Sequence, residues 1–264
     1  MSLSVFDLFK IGVGPSSSHT VGPMIAACRF LEDSEQQLSL NTVTRVSIDL
    51  FGSLAMTGVG HGTDTAILLG LQGAAPATVD TNQIQTYIDT IRSEQHINLL
   101  GRHRIAFNEE RDLIFNKGAS LQLHANGITF NLWNAEGKNL AKANYYSVGG
   151  GFVMSEEELL NDDQLPEANA NPSIPYPFTS ATQLLDIGES KSLSIYEIVL
   201  ANELAMRSEE ELLEGVWNIW KVMKGCIEHG CRSEGILPGG LEVKRRAAAL
   251  HDDLQAQAES DLVC

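Results

Sequence analysis

A change of hydrophobic rhythm part-way along the chain constrains its fold more than any other feature. Up to about Val153, short stretches alternate apolar and polar residues, as in Thr42–Phe51 (TVTRVSIDLF). Period two puts one set of side chains on each face of a strand. From Ala181 onward, apolar residues recur at helical spacing instead. Between the two lies an acidic, proline-rich run: Glu156 to Glu158, Asp162 and Asp163, then Pro166, Pro172, Pro175 and Pro177. Such a run has little packing potential and reads as a linker. The pattern predicts an α+β domain over residues 1–154, a linker over 155–180 and a helical domain over 181–264.

Within the first part, Ser4 to Lys10 reads as a short helix and Pro15 to Thr20 as a polar loop. Pro23 suits the first position of a helix that places Met24, Ile25, Cys28 and Leu31 on one face. Gly52 to Gly62 reads as a glycine-rich loop, with Thr63 or Asp64 capping a helix to about Gly70. Asn82 to Ser93 reads as a further helix. Leu121–Ala125 and Ile128–Trp133 flank Asn126-Gly127, a two-residue hairpin signal. Tyr145 to Val148 ends a strand against three glycines. In the second part, helices are expected at Ala181–Gly188, Ser194–Ser208, Glu209–His229 and about Val243–Ala258.

Composition narrows the function. A length of 264 residues suits one or two soluble domains. Thirty-four acidic against 18 basic residues leave a formal charge of −16, which argues against nucleic-acid binding. The basic cluster Lys244-Arg245-Arg246 reads as a solvated helix face. No apolar run reaches membrane-spanning length, and the first residues lack the pattern of a secretory signal. A cytoplasmic protein is expected, with its four cysteines, Cys28, Cys226, Cys231 and Cys264, not paired in disulfides.

Three segments carry possible chemistry. Gly14 to Pro23 (GPSSSHTVGP) sets the hydroxyls of Ser16, Ser17, Ser18 and Thr20 beside His19, just before an expected helix start. Unpaired N–H groups and the helix dipole there attract a carboxylate and disfavour imidazolium, so His19 would stay neutral and basic. The same residues also make an ordinary serine-rich cap with a surface histidine. Gly58 to Asp64 (GVGHGTD) repeats the arrangement with His61, Thr63 and Asp64; its plain reading is a capped flexible loop. Tyr145 to Phe152 (YYSVGGGF) is either a backbone nest for an anion or a simple exit from a strand. Cys226 and Cys231 match no strong metal spacing and read as buried apolar cysteines. The remaining histidines read as structural.

Taken together, GPSSSHTVGPM, FGSLAMTGVGHGTD, YYSVGGGF, SIYEIVLANE and EGILPGGLEVKRRAAAL, in that order, resemble the bacterial single-chain L-serine dehydratases. The resemblance implies deamination of L-serine to pyruvate and ammonia with a [4Fe-4S] cluster, whose open iron takes the substrate hydroxyl. It implies an N-terminal domain akin to the substrate-binding regulatory domain of some 3-phosphoglycerate dehydrogenases, then a helical catalytic domain. His19 and His61 become candidate bases or substrate ligands, and Ser16, Ser17, Ser18, Thr20, Thr63 and Asp64 candidate substrate contacts. A homo-oligomer acting on a small molecule, without nucleic acid or membrane, is also implied. The family's cluster cysteines lie beyond the LPGG segment, and none of the cysteines here matches one. The expectation is that the chain is the front part of such an enzyme, with cluster ligands downstream and no metal site of its own. Two other readings stand beside this one. A pyridoxal-phosphate enzyme would need a Schiff-base lysine, which neither Lys138 nor Lys142 suits. A non-catalytic amino-acid-binding module would sense serine without converting it, which the missing cluster cysteines favour for the isolated chain.

Overall fold

The computed structural model describes residues 4–161, 174–237 and 242–261. Asp162, Asp163, Pro166, Pro172, the Pro238-Gly239-Gly240 segment and Cys264, all used above, lie outside the described residues. In chain order the first elements are α1 (Val5–Leu8), a π turn (Ser17–Val21), α2 (Gly22–Glu35), β1 (Arg45–Leu50), α3 (Gly52–His61), α4 (Thr63–Leu71) and α5 (Ile84–Glu94). Next come β2 (His96–Leu99), β3 (His103–Ala106), α6 (Glu109–Asp112), β4 (Leu113–Phe115), β5 (Gly127–Trp133), β6 (Asn139–Gly149), β7 (Phe152–Ser155) and α7 (Glu156–Leu160). The last four are α8 (Ala181–Lys191), α9 (Ile195–Leu204), α10 (Glu209–Gly230) and α11 (Ala247–Asp261). The fold is α+β. The chain separates into two compact units, residues 10–163 with 237–243, and residues 1–9 with 164–236 and 244–264.

The sheet unit is built on five strands in the order β4-β1-β5-β6-β7. Only β1 and β4 run parallel, with Ile48 opposite Leu113; the other pairs are antiparallel, as where Ile48 faces Phe130. The alternation read in Thr42–Phe51 is realised in β1, where Val46, Ile48 and Leu50 are buried and the residues between them are half-buried. Helices α2 and α4 supply the other side of the core through Met24, Phe30, Leu31, Ile67, Leu68 and Leu71. Phe30 stacks on Phe130, and Tyr145 meets both rings edge-on. Aromatic pairs of this kind add roughly 0.5–1.5 kcal/mol beyond burial. The hairpin of β2 and β3 forms a separate two-stranded sheet.

Several local expectations are corrected. Gly52–His61 is a helix, not a loop: Leu54, Ala55 and Gly58 face inward, so tertiary packing overrides a glycine-rich composition. Leu121–Ala125 is not a strand. The hairpin partner of β5 is β6, and the turn lies at Asn134–Lys138, where the Asn134 side chain accepts from the Lys138 N–H. The triple glycine is not an exit to the linker: Gly149, Gly150 and Gly151 all have positive φ and turn β6 into β7. Positive φ at three successive residues is a demand that glycine meets without steric cost. Lys244, Arg245 and Arg246 precede α11 and so do not lie on a helix face.

The helical unit is organised differently. Its helices are capped locally: Ser194 with Glu197 and Ser208 with Glu211 form reciprocal capping boxes on α9 and α10. Helix α1 belongs to this unit. Its first N–H groups meet Glu203, with Val5 N donating to Oε1 at 2.7 Å and Ser4 Oγ donating to Oε2 at 3.1 Å. Arg207 pairs with the same carboxylate and lies over the Phe6 ring. Among the described residues, the buried apolar side chains of this unit are Ile198, Leu212 and Ala248.

Candidate active site

The site assembles from a turn and a helix junction within the sheet unit. Ser16 caps the π turn, its side chain accepting from the N–H of His19. A π turn at the mouth of a helix is uncommon, and such turns are frequent at functional sites. His61 is the last residue of α3. Gly62, in the left-handed conformation (φ 68°), ends α3 and opens α4. His61 therefore sits at a junction of two helix ends, not before a single positive one as the loop reading expected.

The two imidazoles lie together, with ring centroids 4.9 Å apart and planes tilted by 40°. Their spacing is braced from behind by two crossed hydrogen bonds. Thr20 Oγ1 donates to the carbonyl of His61 at 3.1 Å, and Thr63 Oγ1 donates to the carbonyl of His19 at 2.6 Å. Both threonines are buried. Their hydroxyls thus hold the two backbones, and Thr63 does not cap α4 with its side chain.

The rings differ in their partners. His19 has both nitrogens engaged: Nδ1 with Ser18 Oγ at 2.8 Å and Nε2 with Ser53 Oγ at 3.0 Å. Burial pushes its pKa below the ordinary histidine value, and the charge of His61 pushes the same way, against a smaller opposing pull from the Ser53 backbone. His19 is therefore held neutral chiefly by desolvation and by its neighbour, where the sequence argument had invoked the helix dipole. His61 Nδ1 lies 2.9 Å from the carbonyl of Thr57, one turn earlier in α3. A carbonyl can only accept, so Nδ1 carries the proton and the neutral ring presents the Nε2 lone pair.

The other expected contacts separate. Ser17 is exposed, while Ser16 and Ser18 are half-buried and linked at 3.3 Å. Asp64 turns to a different partner: it pairs with Arg92 at 2.9 Å, and Arg92 also grips Glu109. Burial pushes the Asp64 carboxyl up. Ser53 and Thr57 escaped the sequence reading, because nothing local marks a helical hydroxyl or carbonyl as a histidine partner. A cavity of ≈ 580 Å³ elsewhere in the unit is lined by Ile91, Arg92, Phe107, Asn108 and Glu109 among others, and its arginine is already neutralised by two carboxylates.

The described residues do not suit a metal cluster. Among them, no three His, Cys, Asp or Glu side chains are grouped to hold a metal ion. The Cys28 thiol, raised to about 11 by burial and by Glu32, stays protonated. Cys226 and Cys231, expected to be buried, are exposed and half-buried on and just past α10, whose apolar face is largely uncovered.

Comparison with known proteins bears on these motifs. The family model described as serine dehydratase beta chain matches residues 4–158. The chain belongs to that family. The serine dehydratase alpha chain model matches residues 190–263. An L-serine dehydratase from Streptomyces coelicolor is 44% identical over 259 residues, covering 98% of this chain and 56% of the relative. L-serine dehydratase 1 of Escherichia coli K12 is 43% identical over 249 residues (94% and 53%), and the Helicobacter pylori L-serine dehydratase 38% over 260 residues (98% and 55%). The chain thus spans about half the length of the curated relatives it matches. Both histidines and the crossed threonines fall inside the beta-chain match.

Proposed function

We propose that this chain serves the deamination of L-serine to pyruvate and ammonia, with His61 as the group that removes the substrate proton and His19 as its neutral partner. The observation that carries this reading is the paired imidazoles, of which only His61 presents an available lone pair. A base must reach its proton within hydrogen-bonding distance and be neutral near working pH. Of the hydroxyls expected to meet substrate, we assign that contact to the exposed Ser17; Ser16, Ser18, Thr20 and Thr63 hold the histidines. The iron–sulfur cluster belongs to the proposal as a cofactor whose ligands lie outside the described residues.

The assay is L-serine turnover, followed as pyruvate, in a version extended to the relatives' full length. His61→Ala should lower kcat by about 10²- to 10⁴-fold, whereas Ser17→Ala should mainly raise KM. Full activity in His61→Ala would overturn the assignment of the base. Serine binding with no turnover in the extended chain would leave an amino-acid-binding module instead.

We further infer that the two units are two domains joined by the acidic segment. The boundaries read from the sequence, 1–154 and 181–264, shift because α1 packs with the helical unit and α7 with the sheet unit. Limited proteolysis should cut first between Asn161 and Ser180; a first cut inside either flank counts against that boundary. Among the described residues no helix is long and apolar enough to cross a membrane. A cytoplasmic homo-oligomer acting without nucleic acid or membrane is part of the proposal; the −16 charge argues only against nucleic acid, and light scattering and fractionation would check the rest.

A further inference from the structure

His19 is held from two sides, and the side formed by Ser53 leads back into the fold. Ser53 is the second residue of α3. Gly52 before it has φ 55°, and a Cβ there would collide with the carbonyl of Ala125. The Ser53 N–H donates to that same carbonyl at 3.0 Å, and the Gly52 N–H donates to the carbonyl of Ala119 at 2.8 Å. The next residue, Asn126, is fixed to β6: its Nδ2 donates to the carbonyl of Ser147, and the Ser147 N–H donates back to the Asn126 carbonyl, both at 3.0 Å. The Ser147 hydroxyl is buried without a hydrogen-bond partner, and a Cβ on Gly22 would collide with it. Gly22 directly follows the π turn that carries His19. A closed frame therefore joins Ser53 to the His19 turn through the YYSVGGG strand.

We propose that Ser53 is a positioning residue that fixes the tautomer of His19, taking the Nε2 proton and leaving Nδ1 to accept from Ser18. A neutral imidazole has one donor nitrogen and one acceptor nitrogen. Hydroxyls accept either role, so the order of bonds has to be decided by what surrounds them. Ser16 Oγ accepts from the His19 N–H and keeps its own proton to give to Ser18 Oγ. Ser18 can then give its proton to Nδ1, and every hydroxyl on that side is used. The reverse order leaves the Ser16 proton without a partner in this set. With Nδ1 accepting, the single proton of the neutral ring sits at Nε2, 3.0 Å from the Ser53 hydroxyl that takes it. With both ends tied, the His19 ring can neither flip nor offer a lone pair, and the available lone pair is left to His61.

The consequence for turnover rests on the proton-handling reading above, but the tautomer does not. Long-range proton–nitrogen correlation spectra of the ¹⁵N-histidine-labelled 264-residue chain, at a pH where His19 is neutral, read the tautomer directly. The wild type should show His19 as the Nε2–H form. Ser53→Ala should convert it to a mixture or to the Nδ1–H form, and Ser53→Thr should restore it. An unchanged thermal transition in Ser53→Ala separates loss of positioning from loss of fold. If that variant unfolds, the wild type and Ser53→Thr still decide: an Nδ1–H form in either overturns the proposal. So does an unaltered Nε2–H form in a folded Ser53→Ala. In the extended enzyme, Ser53→Ala should lower kcat by about tenfold or more with KM little moved. A changed tautomer with unchanged kcat keeps Ser53 in its role and removes the proton-handling reading instead.

Discussion

The sheet unit and the helical unit use their apolar residues in opposite ways. In the first, a continuous core runs from Met24 through Ile48, Ile67 and Phe130 to Tyr145, all within a few per cent of full burial. In the second, α10 carries Leu213, Val216, Trp217, Trp220, Met223 and Ile227 along one stripe, all exposed, with Trp217 at 65% and Trp220 at 47%. The same helical period that signals a core-facing stripe is present in both units, yet only one of them closes over it. Rhythm specifies the element; a core needs a second surface at the right distance. The histidine pair stands on the unit that has one.

The comparison breaks first at Phe30. Phe30→Ala removes a ring stacked between α2 and β5 and should cost about 3–5 kcal/mol in the transition of the sheet unit, measured by urea denaturation. A loss below about 1 kcal/mol would mean that this core is looser than its burial suggests.

A smaller effect is expected at Asp112, whose buried carboxylate accepts from Arg45, Arg111 and the Asn108 N–H. Burial pushes its pKa up, but these donors outweigh it and hold the carboxyl below its ordinary value. A lowered folded pKa gives stability that is present above the ordinary value of about 4 and is lost as pH falls through the lowered one. Asp112→Asn should therefore cost about 1–3 kcal/mol at neutral pH, and its difference from wild type should shrink on acidification. A difference independent of pH would assign the effect to shape and not to charge.

The least effect belongs to the other unit. Trp217→Ala, on the exposed stripe of α10, should stay within about 0.5 kcal/mol. A loss approaching that of Phe30→Ala would show the stripe to be packed in solution, and the contrast between the units would fall.

Legibility followed the reach of each signal. Strand β1 was readable because alternation is a property of neighbours, and α9 and α10 because helical spacing is equally local. Helix α3 was not, since Gly52, Gly58, Gly60 and Gly62 read as a loop. Gly58 is small because the Phe115 ring and the Thr63 side chain lie within about 3 Å of where its Cβ would be, a demand made by distant residues. Asn126-Gly127 looked like a turn, yet Asn126 spends its side chain on Ser147. The two histidines could be singled out from their motifs, but the distinction between them could not. It depends on Thr57 and Ser53, whose roles exist only after folding.

The crossed threonine bonds have a further consequence. Thr20 and Thr63 grip the carbonyls of His61 and His19, not their rings, so the register between the two segments is set without the imidazoles. Placement is thereby uncoupled from chemistry. A residue exchanged at position 19 or 61 would inherit an address already fixed by its neighbours, as a tool inherits the position of its holder. Reactivity at this pair can then drift or be redesigned one side chain at a time without the spacing having to be found again.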